Sequence, residues 1–95
     1  MNDLDVNIWM ETKVKLRVPR VVHKDLSADG VLGYAAQEDF EIEIEPNQPN
    51  KEYLDTLIHE MLHCFLPDLS ERAIERMANI MANEIWKRRY RKIAK

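Results

Sequence analysis

Two histidines and a glutamate at residues 59–63 have the types and the spacing of a metal-dependent hydrolytic site. The run His59-Glu60-Met61-Leu62-His63 is an HExxH motif. In a helix, four residues turn through about 400°, so the two imidazoles lie about 40° apart and can share one metal ion. Glu60 is offset by about 100° from His59, which places it where it can act on a water bound to that metal. The motif therefore predicts a zinc (Zn2+) cofactor on His59 and His63, with Glu60 as the catalytic residue.

A catalytic zinc ion needs a third protein ligand, with its fourth position left to water. His23 is the only other histidine and lies far upstream, and we interpret Cys64 as a buried thiol. Carboxylates remain, because the short connection at 66–70 should fold the following helix back beside the motif. The candidates are Glu71, which we favour, Asp68, whose alternative role is a helix N-cap, and Glu75, whose alternative role is an ordinary surface charge. The alternative for the whole motif is a pair of solvent-exposed histidines on an amphipathic helix.

The second half of the chain has the periodicity of two amphipathic helices. In the first, predicted over 51–66, the histidine pair lies roughly 150° from the centre of the apolar stripe. That stripe consists of Leu54, Leu57, Ile58, Met61, Leu62 and Phe65. A second helix is predicted over 69–95, with Asp68 or Ser70 as N-cap and Glu71 able to reach back to it. Its expected inner face consists of Ala73, Ile74, Met77, Ile80, Met81 and Ile85.

The first half of the chain, residues 1–50, is predicted to be rich in strands. Residues 6–18 alternate apolar and polar side chains as a strand does, and Pro19 ends the pattern. Residues 20–30 are ambiguous and fit one helical turn, and strands are predicted over 31–36 and 40–45. In the latter, apolar residues should face inward and acidic ones water: Phe40, Ile42 and Ile44 against Glu41, Glu43 and Glu45. The predicted class is α+β, a small antiparallel or mixed sheet of about three strands followed by two helices.

Length and composition limit the chain to one globular domain, residues 1–95. Hydrophobic residues make up 45% and charged residues 33%, with two Gly and four Pro, which argues against disorder and low-complexity linkers. A single cysteine excludes an internal disulfide. An acidic start and the lack of a long apolar run predict no signal peptide and no membrane span, so we expect a cytoplasmic protein.

Charge is distributed unevenly along the chain. Residues 87–95 carry six of the 14 basic side chains and no acidic one, which leaves 8 basic against 17 acidic residues in 1–86, a net −9. Cations beside Trp86 and Tyr90 are typical of weak nucleic-acid contact. The alternative is a solvated helix end, where basic residues interact favourably with the helix dipole.

The segment Leu57-Ile58-His59-Glu60-Met61-Leu62-His63-Cys64-Phe65-Leu66-Pro67-Asp68-Leu69-Ser70-Glu71 resembles small zincin-like metallopeptidase-type proteins, many of them encoded by phages and prophages. The similarity covers roughly residues 31–86, including a strand with Gly33 and Tyr34. It implies zinc on the two histidines and on an acidic residue within 68–71, with Glu60 as catalytic base and a peptide or protein as substrate. The metzincin tail HxxGxxH is absent, and Asp68 is one residue off the spacing of aspartate-liganded zincins.

Two functions remain open at the level of sequence: a zinc peptidase, and a zinc-binding module without hydrolytic activity that acts through protein or nucleic-acid binding. A peptidase also needs a donor that stabilises the oxyanion. The candidates are Tyr34, Tyr53, Tyr90 and His23. Strand 40–45 could be an edge that pairs with an extended substrate, its glutamates favouring basic peptides, or simply a solvated strand face.

Overall fold

The computed structural model of this protein describes residues 17–90. Nearly all of the strand predicted over 6–18 lies outside this range. A three-stranded mixed sheet is followed by two helices, so the predicted α+β class is confirmed. The elements are β1 (Arg20–His23), a 3₁₀ turn (Ser27–Asp29), β2 (Gly33–Ala36), β3 (Glu41–Ile44), α1 (Asn50–Phe65) and α2 (Glu71–Lys87).

The strands lie in the order β1-β3-β2, with β1 parallel and β2 antiparallel to β3. The hypothesis that the strand at 40–45 is an edge for substrate is therefore wrong, because β3 is paired on both sides. Among the described strands, β1 and β2 form the edges. The sequence prediction missed β1, since four residues are too few to show a clear alternation and its partner lies about twenty residues away.

Strand β3 carries the alternation predicted for it. Phe40, Ile42 and Ile44 are buried, and Glu41 and Glu43 on the opposite face are half-buried. Each of these two glutamates is paired with a cation of the β1 segment, Glu41 with Arg20 at 2.8 Å and Glu43 with Lys24 at 3.5 Å.

Glu45 departs from that alternation, so the prediction that it faces water is wrong: its side chain is buried. Its carboxylate accepts hydrogen bonds from the backbone N–H groups of Leu26, at 2.8 Å, and Asn47, at 3.0 Å. Glu45 lies just past the strand end, where two loop N–H groups would otherwise lack an acceptor. Their hydrogen bonds compensate the carboxylate for the water that it loses on burial.

Helix α1 lies between the sheet and α2, and the two halves of its predicted apolar stripe pack against these two neighbours. Ile58 and Leu62 pack against the buried face of α2. On the side of the sheet, Cys64 packs among Phe40, Ile42 and Ile44. The prediction that Cys64 is a buried thiol is confirmed, because only 3% of its surface is exposed.

Helix α2 begins after Ser70, whose Oγ accepts a hydrogen bond from the backbone N–H of Ala73 at 3.1 Å. The buried residues of this helix are Ile74, Ala78 and Ala82. The prediction that Ile80 and Met81 face inward is wrong, since both are exposed. Ile80 lies about 160° around the helix from the centre of the buried face.

The helix ends at Lys87, earlier than the predicted 95, and Arg88 follows it as the C-cap. Residues 91–95 of the basic tail lie outside the described range. Neither helix within residues 17–90 combines the length and the hydropathy that a membrane crossing requires.

Candidate metal centre

The two histidines of the motif lie one above the other on α1. Their Nε2 atoms are 3.2 Å apart and their ring centroids 4.9 Å apart. Both side chains are half-buried, with 18% of their surface exposed. The spacing of four residues on a regular helix produces this arrangement, so both rings present the same nitrogen to one point.

Glu71 completes the cluster from the neighbouring helix. Its Oε1 lies 2.6 Å from the Nε2 of His63, and its Oε2 lies 2.9 Å from the Nε2 of His59. As the first residue of α2, Glu71 follows directly on the Ser70 cap, and the short connection brings it beside the last turns of α1. A negative charge in the first turn of a helix interacts favourably with the helix dipole.

The other carboxylates weighed as ligands lie elsewhere. Asp68 is exposed in the turn between the helices, and Glu75 is exposed one turn further along α2. Neither lines the cleft that holds the histidines. Glu71 also does not reach back as part of a capping box, since its carboxylate is turned toward the imidazoles. Of the three candidates, the tertiary structure therefore brings Glu71 to the histidine pair.

Glu60 is the buried carboxylate of the site, with 9% of its surface exposed. Its carboxylate lies close to the imidazoles: one ligand atom from each of His59, Glu60 and His63 falls within 4.8 Å of the others. Burial raises the pKa of Glu60 above its usual range, while the two histidines oppose that shift and the charge of Glu71 adds to it. A carboxylate with a raised pKa is a stronger base than one in water.

Strand β2 forms the opposite wall of the cleft, which has a volume of about 370 Å³. The lining residues are Gly33, Tyr34, Ala35, Gln37, His59, Glu60, His63 and Glu71. Gln37, in the turn after β2, donates a hydrogen bond from Nε2 to the backbone carbonyl of His63 at 2.9 Å. This bond ties the wall to the end of α1 and satisfies a carbonyl of the last helical turn. Nothing in the sequence pattern singled out Gln37.

Among the candidate oxyanion donors, only Tyr34 lines the cleft. Its side chain alternates with Gly33 and Ala35 and so projects from the other face of the sheet. The Nε2 of His23 and the hydroxyl of Tyr53 lie 2.6 Å apart and hydrogen-bond to each other. Tyr90 lies beyond the end of α2 and is exposed. Of the four candidates, His23, Tyr53 and Tyr90 thus lie outside the cleft that holds the histidine pair.

The donor set fits a zinc ion. Two imidazole nitrogens with one carboxylate is a ligand set of catalytic zinc sites, in which a fourth position stays open. Tetrahedral zinc with bonds of about 2.0–2.1 Å keeps its ligand atoms about 3.3 Å apart. The separation of 3.2 Å between the two Nε2 atoms matches this value. The shorter contacts with Glu71 are hydrogen-bond distances, so a metal would replace the protons held there.

Comparisons of the chain with protein-family models, with curated proteins and with solved structures gave no match. What this protein does therefore has to follow from the chemistry of its own side chains.

Proposed function

We propose that this protein is a small zinc-dependent peptidase whose metal is held by His59, His63 and Glu71, with Glu60 as catalytic base. The observation that carries the proposal is the convergence of the two histidines of α1 with a carboxylate of α2. Their donor atoms lie 2.6–3.2 Å apart. Hydrogen bonds alone could also join Glu71 to the imidazoles, so the metal content of the protein distinguishes the two interpretations.

The chemistry expected at this site divides between the metal and the protein. Zinc, when bound, lowers the pKa of a coordinated water to about 7 and polarises a carbonyl group. Glu60 accepts a proton at its carboxylate and later passes it to the departing amine. Its burial and its position beside the histidines suit it to that transfer. The two histidines and Glu71 hold their positions through the helix geometry and the Ser70 cap.

A peptide or protein substrate is supported by the wall of the cleft. Strand β2 pairs with β3 on one side only among the described strands, so its other edge is available to an extended chain. Main-chain hydrogen bonds to such an edge bind peptides with little dependence on sequence. Gly33 and Ala35 line the cleft that holds the histidines, so a chain paired along this strand would pass beside the candidate metal centre.

A zinc-binding module without hydrolytic activity is the alternative. An ion held by His59, His63 and Glu71 would cross-link α1 and α2 and stabilise the fold by itself. The two functions share their ligands and differ in the role of Glu60, which a stabilising site does not require.

Nucleic-acid contact through 87–95 stays a separate prediction. In the described part of this segment, Lys87 and Arg88 both pair with Glu84, at 3.7 and 3.3 Å. These are exposed pairs of the kind that contribute little energy and exchange readily with other anions.

Metal analysis combined with peptide hydrolysis tests the proposed function. We expect the wild type to hold one zinc ion per chain, and His59→Ala and Glu71→Gln to lose most of it. Glu60→Gln should keep the zinc and lose hydrolysis of a peptide library. Glu75→Gln is the matched control, because it removes an exposed carboxylate one turn further along the same helix.

The outcomes separate the two functions. Equal cleavage by the wild type and Glu60→Gln contradicts the mechanism. Stoichiometric zinc without cleavage by any form favours the binding module, and a wild type without zinc removes the metal site altogether.

A further inference from the structure

Strand β2 approaches α1 most closely at Gly33. A Cβ atom built on this glycine would lie 2.6 Å from the Cγ2 of Thr56, 3.0 Å from the Cγ of Glu60 and 3.1 Å from its Oε2. Real Cβ atoms essentially never approach another heavy atom to 2.6 Å. The backbone of Gly33 has no left-handed conformation that would explain the glycine. Residue 33 is therefore a glycine because α1 leaves no room for a side chain there, and not because of its backbone conformation.

Thr56 cannot simply turn its methyl group away. Its hydroxyl donates a hydrogen bond to the Oε1 of Gln48 at 3.1 Å. The amide of Gln48 in turn donates to the backbone carbonyls of Glu45, at 2.7 Å, and Leu32, at 3.5 Å. This chain of bonds links α1 to the residue just before Gly33 and fixes the rotamer of Thr56.

The second neighbour of Gly33 is the side chain of Glu60 itself. Thr56 and Glu60 are one turn apart on α1 and so lie on the same face, which β2 covers. The close backbone of β2 contributes to the burial of Glu60, a residue with 9% of its surface exposed. At the other end of the strand, the bond from Gln37 to His63 keeps β2 in place.

We propose that Gly33 is a positioning residue for Glu60: by lacking a side chain, it lets β2 press the carboxylate toward the histidines and shield it from water. This inference rests on the proposed function, since it assigns a role in the reaction that Glu60 performs. Any side chain at residue 33 moves either β2 or the carboxylate. Proton transfer depends on placement within a fraction of an ångström to about 1 Å, so the rate should fall while metal binding persists.

The test separates the two contacts of Gly33 with a double variant. Gly33→Ala alone meets the Thr56 methyl group and should lower the Tm. Thr56→Ser removes that methyl group and keeps the hydroxyl for Gln48, so Gly33→Ala/Thr56→Ser should recover most of the Tm. The contact with Glu60 remains in the double variant. We expect its kcat on a cleaved peptide to fall about tenfold relative to Thr56→Ser, with KM and zinc affinity within about twofold.

A second readout does not depend on activity. In metal-free wild type, a nuclear Overhauser effect should connect the Hα protons of Gly33 with the Hγ protons of Glu60, and the contact should lengthen in the double variant. Gly30→Ala serves as the stability control. It adds a Cβ in open space at φ +68°, so it strains the backbone without touching the site. Its kcat should stay at the wild-type value.

Each outcome decides the inference. A wild-type kcat in the folded double variant overturns the role of Gly33 and leaves the proposed function intact. Absence of the Overhauser effect in the wild type overturns the contact itself. A wild type without hydrolytic activity overturns the proposed function, and the positioning role of Gly33 fails with it. An equal loss of kcat in Gly30→Ala would show that the rate follows general stability, which also contradicts the proposal.

Discussion

Zinc held by ligands from two helices should stabilise the fold as well as serve chemistry. His59 and His63 belong to α1 and Glu71 to α2, so one ion would join the two helices where they meet. At a free zinc concentration of 100 times the Kd, binding adds about 2.7 kcal/mol to the free energy of unfolding. For a domain of this size, each kcal/mol corresponds to about 4–8 °C in Tm. Chelation should therefore lower the Tm by about 10–20 °C.

Differential scanning calorimetry at a fixed free zinc concentration measures this shift. We expect the full shift in the wild type and in Glu75→Gln, no shift in His63→Ala, and a strongly reduced shift in Glu71→Gln. Asp68→Asn tests the remaining candidate ligand of the connection and should behave as the wild type.

Two results would refute the reasoning. A full zinc-dependent shift in Glu71→Gln would show that the ion does not join the helices through this carboxylate. If neither zinc nor a chelator changes the Tm of the wild type, zinc does not bind the native state in preference to the unfolded state.

Three further predictions concern the core, the surface and the tail. Ile74→Ala should lower the free energy of unfolding by about 3 kcal/mol, because the side chain is fully buried between the helices. The matched variant Ile80→Ala, on the exposed face, should change this free energy by less than about 0.5 kcal/mol. Urea titrations measure both values. The side-chain hydroxyl of Ser27 lowers the pKa of Asp25 below its usual value of 3.8. The stability that the Asp25 carboxylate contributes is therefore present above pH 3.8 and is lost as the pH falls through the lowered pKa. Ser27→Ala should raise this pKa in an NMR titration, and an unchanged value would contradict the assignment. Removal of residues 87–95 should abolish any salt-dependent retention on nucleic acid, and equal retention without them would exclude the tail as the contact.

The sequence is most informative where structure is local. The 3.6-residue period predicted α1 to within one residue at each end, because an amphipathic helix repeats the same environment every turn. The stacking of His59 and His63 follows from the same geometry. The inward face of β3 could be predicted from its alternating pattern, since alternate residues of a strand share a face.

The contact of Glu71 with the histidines could be predicted only in part from the sequence. A short connection restricts the next helix to lie beside α1, and this narrowed the candidates to three carboxylates. Which of them meets the imidazoles depends on the residue that caps α2. Both Asp68 and Ser70 suit an N-cap by type. The choice of Ser70 puts Glu71 in the first turn with its carboxylate toward α1.

What only the tertiary structure decided is which distant segments touch. The position of β3 between β1 and β2, the hydrogen bond from Leu26 to the buried Glu45, and the contact of Gly33 with Glu60 all join residues far apart in the chain. Local periodicity carries no information about such partners, because their energies arise only when separate elements pack together. By itself the sequence determined α1, the inward face of β3 and the histidine pair, and packing determined what completes and encloses the site.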